Sequence, residues 1–215
     1  FPVKEVEEIS RKILLDSPIG ALQYAVTEGY GPLREHLAAY MKQKHNVGRE
    51  FDQILITAGA HQAMDLAAKS LCNEGDTVLC ESPSFIGSLN AFRSYGLKLR
   101  GIPMQDDGMD LEALEQAMKS EKRARFLYTI PNFQNPSGIT MSMEKRRRVY
   151  ELARQHGMII IEDNPYGDIR FAGEHIPAIK SMDEDGIVLY VGSFSKVLSP
   201  GMRVGYAIAP APLIA

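Results

Sequence analysis

The stretch Met158-Ile159-Ile160-Ile161-Glu162-Asp163-Asn164-Pro165-Tyr166 indicates the fold class of this chain. Four consecutive apolar residues that stop at acids and an Asn-Pro turn are typical of a strand buried on both faces. An acid at the end of such a strand needs a partner if it points inward, because burying an unpaired carboxylate is costly. A protonated heterocycle nitrogen would be such a partner for Asp163. An exposed acid that opens an Asn-Pro turn is an equally good interpretation of these residues alone.

The same pattern recurs along the chain, where short apolar runs alternate with segments whose apolar residues repeat at helical spacing. Strands are predicted at 54–57, 77–81, 97–102, 125–130, 158–162, 187–191 and 204–209, and helices at 4–15, 32–45, 60–71, 85–95, 110–120 and 142–156. Parallel strands require crossover connections, which the intervening helices supply. The alternation therefore predicts one α/β domain with a largely parallel sheet.

The composition excludes several classes of partner. The chain has 215 residues, with 24 Lys and Arg against 27 Asp and Glu, and its net charge of −3 gives no strong tendency to bind polyanions. A hydrophobic content of 45% is typical of a globular domain with a sizeable core. No apolar stretch approaches the ~20 residues of a membrane-spanning helix. We expect this segment to bind neither nucleic acid nor a membrane.

Smaller features agree with that expectation. Cys72 and Cys80 fit neither a disulfide framework nor a metal-ligand pair, so we expect a cytoplasmic location and no metal site. The basic run Lys145-Arg146-Arg147-Arg148 lies within a predicted helix with acidic residues close by, which favours a solvated helix face over a nucleic-acid patch. The chain begins at Phe1 rather than methionine, as expected of a processed or truncated piece.

Polar residues follow several predicted strands, and in open α/β sheets ligands bind at these strand ends. Gly59-Ala60-His61-Gln62 opens a helix whose free amides could hold a phosphate, although a plain glycine turn is the commoner meaning. Ser193-Phe194-Ser195-Lys196 and Pro200-Gly201-Met202-Arg203 place a lysine, two hydroxyls and an arginine near one strand end. A lysine with a lowered pKa forms Schiff bases with carbonyl compounds, and arginine and serine hold phosphates. In isolation, Asn135-Pro136-Ser137-Gly138 indicates a turn and Phe85 a core aromatic.

Taken in order, six motifs resemble those of the fold-type I pyridoxal-phosphate aminotransferases. They are G-A-H-Q at 59–62, P-S-F at 83–85, N-P-S-G at 135–138, D-N-P-Y at 163–166, S-F-S-K at 193–196 and G-M-R-V-G-Y at 201–206. The resemblance is greatest to the 2-aminoadipate and aromatic aminotransferase branch and to the aminotransferase-like half of MocR-type regulators. It implies a three-layer αβα sandwich with a mostly parallel sheet, which is the large cofactor-binding domain of these enzymes.

The resemblance implies a role for each matching residue around pyridoxal 5'-phosphate. Lys196 would form the aldimine with the cofactor aldehyde and then carry the proton of the substrate α-carbon. Asp163 would pair with the pyridine nitrogen, whose protonated form makes the ring a stronger electron acceptor. Asn135 and Tyr166 would hydrogen-bond the phenolic oxygen, and Phe85 would stack on the ring.

The remaining matching residues would hold the phosphate group. The turn at Gly59 would offer the backbone amides of Ala60 and His61, joined by the side chains of Ser193, Ser195 and Arg203. Tyr24 matches a residue that reaches the phosphate of a neighbouring subunit, so the resemblance also implies a homodimer. The implied substrates are an amino acid and a 2-oxo acid.

The chain departs from the pattern of its relatives at both ends. They begin with an N-terminal arm and continue past the last strand into a small C-terminal domain that carries the arginine for the substrate carboxylate. Residues 1–215 are therefore expected to be a partial large domain without these parts, and cofactor binding is a firmer expectation than turnover. Two other functions stay open: the effector-sensing module of a MocR-type regulator and a cofactor-dependent β-lyase.

Overall fold

The computed structural model describes all 215 residues. Its helices are α1 (Val3–Asp16), α2 (Pro18–Leu22), α3 (Gly31–His45), α4 (Ala60–Leu71), α5 (Ile86–Ser94), α6 (Leu111–Ser120), α7 (Met143–His156) and α8 (Ala211–Ile214). Its strands are β1 (Asp52–Thr57), β2 (Thr77–Ser82), β3 (Lys98–Gln105), β4 (Gly108–Met109), β5 (Ala124–Thr129), β6 (Ile159–Asp163), β7 (Val188–Ser193) and β8 (Gly205–Pro210). Short 3-10 turns cover Ile179–Met182 and Pro200–Met202.

The eight strands form one sheet in the order β1-β8-β7-β6-β5-β2-β3-β4. The strands from β7 to β3 pair in parallel, whereas β8 runs antiparallel to both of its neighbours and β4 antiparallel to β3. Two antiparallel pairings in succession give β1 the same direction as β7. The carboxyl ends of β1, β2, β5, β6 and β7 therefore meet at one edge of the sheet.

Helices cover the sheet on both faces because alternate residues of each strand point to opposite sides. On one face, Ala63 of α4 and Phe92 of α5 pack against strand residues such as Phe126. On the other face, the buried side chains of α6 and α7 share a core with the strands, and α3 packs over β1 and β8. This is the αβα sandwich with a mostly parallel sheet that the sequence predicts, and the prediction is confirmed.

The elements missed by the sequence patterns are short. Helices α2 and α8, strand β4 and the two 3-10 turns have five residues or fewer, too few to display a periodic pattern. Strand β4 forms a two-pair ladder in which Gln105 of β3 faces Gly108, whose φ of +130° suits glycine. None of the helices has the length and apolar character of a membrane span.

The expectation of a solvated basic run on α7 is wrong for two of its four residues. Lys145 is 8% exposed and Arg146 is 0% exposed, whereas Arg147 faces solvent. The Arg146 guanidinium donates to the carbonyl oxygens of Pro131, Met141, Ile176 and Pro177 and to the side chain of Asn132. This arginine joins loops around the carboxyl end of β5, a role that local composition does not reveal.

Candidate cofactor site

The phosphate-type motifs are brought together by strand register. Gly205 of β8 faces Thr57 of β1 on one side and Ser193 of β7 on the other. The glycine turn that follows Thr57 and the hydroxyl-bearing segment that begins at Ser193 are therefore held two strands apart at the same edge of the sheet. The early part of β8 fixes their spacing.

The turn between β1 and α4 depends on glycine at two positions. Gly59 has a φ of +85°, and a Cβ atom on it would collide with the guanidinium of Arg203. A Cβ atom on Gly205 would lie 2.6 Å from the backbone nitrogen of Ala60. Only glycine permits this close approach of β8, the turn and the arginine.

The amino end of α4 is open to a ligand. Ser142 caps α7 and Asp110 caps α6 through their side chains, whereas Gly59 offers α4 no side-chain cap. The first amides of a helix have no intrahelical acceptor, and its dipole favours an anion at this end. The amides of Ala60 and His61 belong to this first turn, and the side chain of His61 is exposed.

Arg203 adds a positive charge beside this helix end. Its φ of +51° lies in the left-handed region, and its guanidinium donates to the carbonyl oxygens of Ala58 and Pro200, both at 3.3 Å. The side chain stays exposed, so its remaining donors are free to bind an anion. The free amides of α4 and this guanidinium form a cradle that suits a phosphate group.

The segment after β7 carries the candidate nucleophile. The backbone nitrogen of Ser195 donates to the hydroxyl of Ser193 at 3.1 Å, and the nitrogen of Phe194 donates to the carbonyl oxygen of Val204. These bonds fold residues 193–204 into a compact loop. Lys196 lies on this loop with an exposed side chain that forms no ion pair within the chain. Its amine is available for chemistry.

Asp163 combines deep burial with an unsatisfied oxygen atom. It ends β6 and is 4% exposed, and its Oδ2 accepts a hydrogen bond from the Tyr128 hydroxyl at 2.8 Å. Its Oδ1 is buried and has no hydrogen-bond partner in the chain. Burial raises the pKa of the Asp163 carboxyl to about 6, although the bond from Tyr128 opposes this change. A positively charged donor at Oδ1 would give this oxygen a hydrogen-bond partner and would offset the cost of burying the negative charge.

Asn135 and Tyr166 lie together although 31 residues separate them. The amide nitrogen of Asn135 is 3.4 Å from the Tyr166 hydroxyl, and both side chains are half-buried. They line an open cavity of about 480 Å³ with the neighbouring Phe133 and Ile169. The register of β5 with β6 explains the meeting, because Thr129 faces Glu162 and the two loops leave the sheet side by side.

The two aromatic residues implied by the resemblance differ in placement. Phe85 precedes α5 at the end of β2 and is 37% exposed, so it is not the core aromatic that its motif indicates in isolation. Tyr24 is 98% exposed and is not gathered with the other residues of the site. An exposed position agrees with a residue that acts on a neighbouring subunit, but its role stays a prediction.

Some residues hold the side chains and loops of the site in place without having been singled out by the sequence patterns. Tyr128 hydrogen-bonds Asp163, and Glu81 of β2 is 2% exposed and bonded to Thr129, Ile130 and Gln134. Burial raises the pKa of Glu81 to about 7, and the negative charge of Asp163 adds to the effect. A carboxylate at the end of a buried strand was the one available signal, and Glu81 carries it as Asp163 does.

Comparison with known proteins places the chain in a family. The family model described as aminotransferase class I and II matches residues 3–215. The chain belongs to this family. It is 41% identical to aromatic-amino-acid aminotransferase 1 of Thermococcus litoralis, over 97% of this chain and 51% of that protein. It is 39% identical to the uncharacterized HTH-type transcriptional regulator YisV of Bacillus subtilis, over 90% of this chain and 40% of that protein.

A solved structure of a relative matches the fold of this chain over its whole length. The α-aminoadipate aminotransferase LysN of Thermus thermophilus, complexed with N-(5'-phosphopyridoxyl)-L-leucine, superposes with a TM-score of 0.91 and 38% identity. The match covers 100% of this chain and 55% of that one. The chain thus spans about half the length of the relatives it matches. The resemblance to fold-type I aminotransferases and MocR-type regulators is confirmed.

Proposed function

We propose that the full-length protein is a pyridoxal-phosphate-dependent aminotransferase that moves an amino group between an amino acid and a 2-oxo acid. Residues 1–215 would be its large cofactor-binding domain, without an N-terminal arm and a small C-terminal domain. The observation that carries the proposal is the unpartnered Oδ1 of Asp163, buried at the sheet edge that also holds an anion cradle and the free amine of Lys196. Membership of the aminotransferase family supports it.

The residues at this edge fit the chemical groups of pyridoxal phosphate. An anion cradle matches its phosphate, an available amine matches its aldehyde, and a buried carboxylate matches its basic ring nitrogen. When bound, the cofactor supplies an aldehyde that captures amines and a ring that accepts electron density. A sheet edge with only a structural role would not need an anion cradle, a free amine and a buried carboxylate side by side.

The backbone amides of Ala60 and His61 and the side chain of Arg203 would bind the phosphate. The hydroxyls of Ser193 and Ser195 would complete the set, and Gly59 would let the backbone come close. Fixing the phosphate fixes the position of the rest of the cofactor relative to Lys196. Orientation of this kind replaces a bimolecular encounter and accounts for a large part of many enzymatic rate enhancements.

Each remaining side chain has one task. The Lys196 amine would bind the cofactor covalently and later move a proton to and from the substrate α-carbon. The Asp163 carboxylate would hold the proton on the ring nitrogen through its charge. Asn135 and Tyr166 would donate hydrogen bonds to the phenolic oxygen. The exposed ring of Phe85 would cover one face of the cofactor.

The proposal includes a homodimer in the cytoplasm. Helix α1 has no buried residue. Its apolar side chains other than the half-buried Val6 stay exposed, as do those of α2 and residues 23–30. Exposed apolar surface of this extent marks an interaction site. A second subunit would cover it and bring Tyr24 to the partner's phosphate.

A regulator is the second candidate, favoured by the 39% identity to an HTH-type regulator over 90% of this chain. In that case the same site would bind the cofactor and sense an effector without turnover. Sequencing of the upstream coding region separates the two, because a regulator carries a basic helix-turn-helix segment there.

The decisive test of the proposed function uses the visible absorption spectrum of the full-length protein. Added pyridoxal phosphate should give an absorption band that an amino-acid substrate shifts and a 2-oxo acid restores. Lys196→Ala should abolish the native band and transamination, whereas Lys119→Ala on the exposed face of α6 should leave both intact. A protein that neither binds the cofactor nor exchanges amino groups would refute the proposal.

A further inference from the structure

The carboxyl group of Glu81 is saturated by donors from within the chain. Its Oε1 accepts from the Thr129 hydroxyl at 2.6 Å and from the Ile130 nitrogen at 3.1 Å. Its Oε2 accepts from the side-chain amide of Gln134 at 3.0 Å. Because these donors occupy both oxygens, Glu81 is suited to hold other residues rather than to bind a ligand.

The side chain of Gln134 connects Glu81 to the turn that follows Gln134. This side chain is 1% exposed, and its nitrogen also donates to the carbonyl oxygen of Pro83 at 2.8 Å. Its oxygen accepts from both the backbone nitrogen and the hydroxyl of Ser137, at 2.9 and 2.6 Å. The Gln134 amide group therefore closes the turn 134–138 together with two backbone bonds, from the Gly138 nitrogen to the Gln134 carbonyl oxygen and from the Gln134 nitrogen to the Ile139 carbonyl oxygen.

Asn135 is the second residue of this turn, so its position depends on how the turn is held. Its contact with the Tyr166 hydroxyl, at 3.4 Å, is close to the upper limit for a hydrogen bond. A small displacement of the turn is therefore enough to break it. The turn has no other buried side chain to fix it, since Pro136, Ser137 and Gly138 are exposed.

We propose that Glu81 is a positioning residue that, through the Gln134 amide, holds Asn135 in the place from which it acts on the cofactor. The inference rests on the proposed function, in which Asn135 bonds the phenolic oxygen. Three donors converge on the two oxygens, which fits the ionised carboxylate, and because burial raises the pKa of Glu81 to about 7 this form prevails above neutral pH. An isosteric amide has a single acceptor oxygen and would set its own NH₂ group against one of those donors.

Three variants of the full-length protein separate positioning from general destabilisation. Glu81→Gln removes the second acceptor without changing the volume. Glu81→Gln combined with Gln134→Glu restores a donor and an acceptor between the two side chains and mismatches only the carbonyl of Pro83. Asp76→Asn is the matched control, because Asp76 is a 0% exposed carboxylate at the opposite end of β2, bonded to arginines.

The first readout is amide hydrogen exchange of the cofactor-free protein. In Glu81→Gln, peptides covering residues 132–141 should exchange about tenfold faster than in the wild type, as expected for the loss of one buried hydrogen bond. The double variant should recover part of the protection. Asp76→Asn should leave these peptides unchanged.

The second readout is the visible absorption of the protein loaded with pyridoxal phosphate, followed against pH. Glu81→Gln should move the midpoint of the spectral change by about one pH unit, because one altered hydrogen bond is worth about that much. Asp76→Asn should keep the wild-type midpoint. A residue with only a structural role would not move this midpoint.

Equal exchange and equal midpoints in Glu81→Gln and Asp76→Asn would overturn the positioning role. Faster exchange with an unchanged midpoint would also overturn it, since the turn would then move without effect on the site. A wild-type protein without any visible band would instead refute the proposed function, and the exchange data would still decide whether Glu81 holds the turn.

Discussion

Glu162 and Asp163 are adjacent residues on β6 that point to opposite faces of the sheet, and their surroundings differ in kind. Glu162 is 0% exposed and accepts from the backbone nitrogens of Ile179 and Lys180 at 2.9 and 2.8 Å. Asp163 is buried almost as deeply but has one donor, Tyr128, and one oxygen without any. Burial raises the pKa of both carboxyls.

The contrast separates a structural acid from a functional one. The Glu162 face is completed by the chain itself, with the charge of Arg146 and backbone amides offsetting the cost of burial. The Asp163 face is left incomplete at the edge where an anion cradle and a free amine also lie. A buried polar group without a partner calls for an explanation, and a ligand is the one that fits here.

The largest difference between the two acids is expected when each is neutralised in turn and transamination by the full-length protein is measured. Asp163→Asn should reduce the rate by about 10²–10³-fold, as is typical when one preorganised electrostatic group is removed. Glu162→Gln should stay within about threefold of the wild type. Similar losses in both variants would show that the two faces do not differ in function.

A second test concerns the Glu162 face of the sheet and measures how much Arg146 contributes to its stability. Arg146→Met keeps most of the volume but leaves several buried acceptors without donors, so the free energy of unfolding should fall by about 3 kcal/mol. For a protein of this size that corresponds to roughly 6–12 °C in Tm, measured by circular dichroism. Arg147→Met, on the exposed side of the same helix, is the control and should change little. Equal melting temperatures would contradict the structural role of Arg146.

Glu162 itself should matter for stability rather than for chemistry. Glu162→Gln places an NH₂ group against one of the two backbone donors, and we expect a loss of about 2 kcal/mol in urea unfolding. Glu144→Gln, on the exposed start of α7, serves as the comparison and should lie within about 0.5 kcal/mol of the wild type. A Glu162→Gln protein as stable as that control would mean that the chain does not depend on this acid.

The smallest expected effect is a gain in stability on the incomplete face. Because burial raises the folded-state pKa of Asp163 to about 6, the folded chain binds this proton more tightly than the unfolded one. The contribution of Asp163 to stability is therefore present below about pH 4 and is lost as the pH rises through 6. A difference of about two pKa units is worth about 3 kcal/mol at pH 8, but the NH₂ group of an asparagine at this position would be buried without an acceptor, which costs about 2 kcal/mol. Without cofactor, Asp163→Asn should therefore be more stable than the wild type by about 1 kcal/mol at pH 8.

At pH 4 the native acid is protonated in the folded state, so the gain should be lost and the variant should become the less stable of the two. Unfolding curves of the cofactor-free wild type and variant at the two pH values measure it directly. A variant that is less stable than the wild type at pH 8 would indicate that Asp163 already has a partner within the chain.

Most of the fold follows from local pattern. The apolar run before Asp163 and the regular alternation around it were enough to predict an α/β domain, its mainly parallel sheet and the seven longer strands, whereas the three layers were implied by the family resemblance. Strand order depends on contacts between distant residues, such as Thr57 with Gly205, which no short window contains. Very short elements such as β4 arise from their neighbours and have no periodicity of their own.

The candidate site likewise contains some residues that the sequence could identify and some that it could not. Lys196 and Asp163 lie in turn motifs with unusual chemistry and could be named from the sequence, whereas Asn135 was named through the family resemblance. The residues packed behind them could not be named, because Arg146 looks like an ordinary surface charge until the tertiary structure buries it, and the position of Glu81 at the end of a strand does not show what it bonds. Only coordinates reveal which charged side chains are saturated and which are left with a free atom.

Covalent trapping would show which lysine binds the cofactor. The full-length protein would be incubated with pyridoxal phosphate, reduced with borohydride, digested and mapped by mass spectrometry. We predict one stoichiometric adduct, on the peptide that contains Lys196. An adduct on another lysine, or none at all, would contradict the assignment of this sheet edge as the cofactor site.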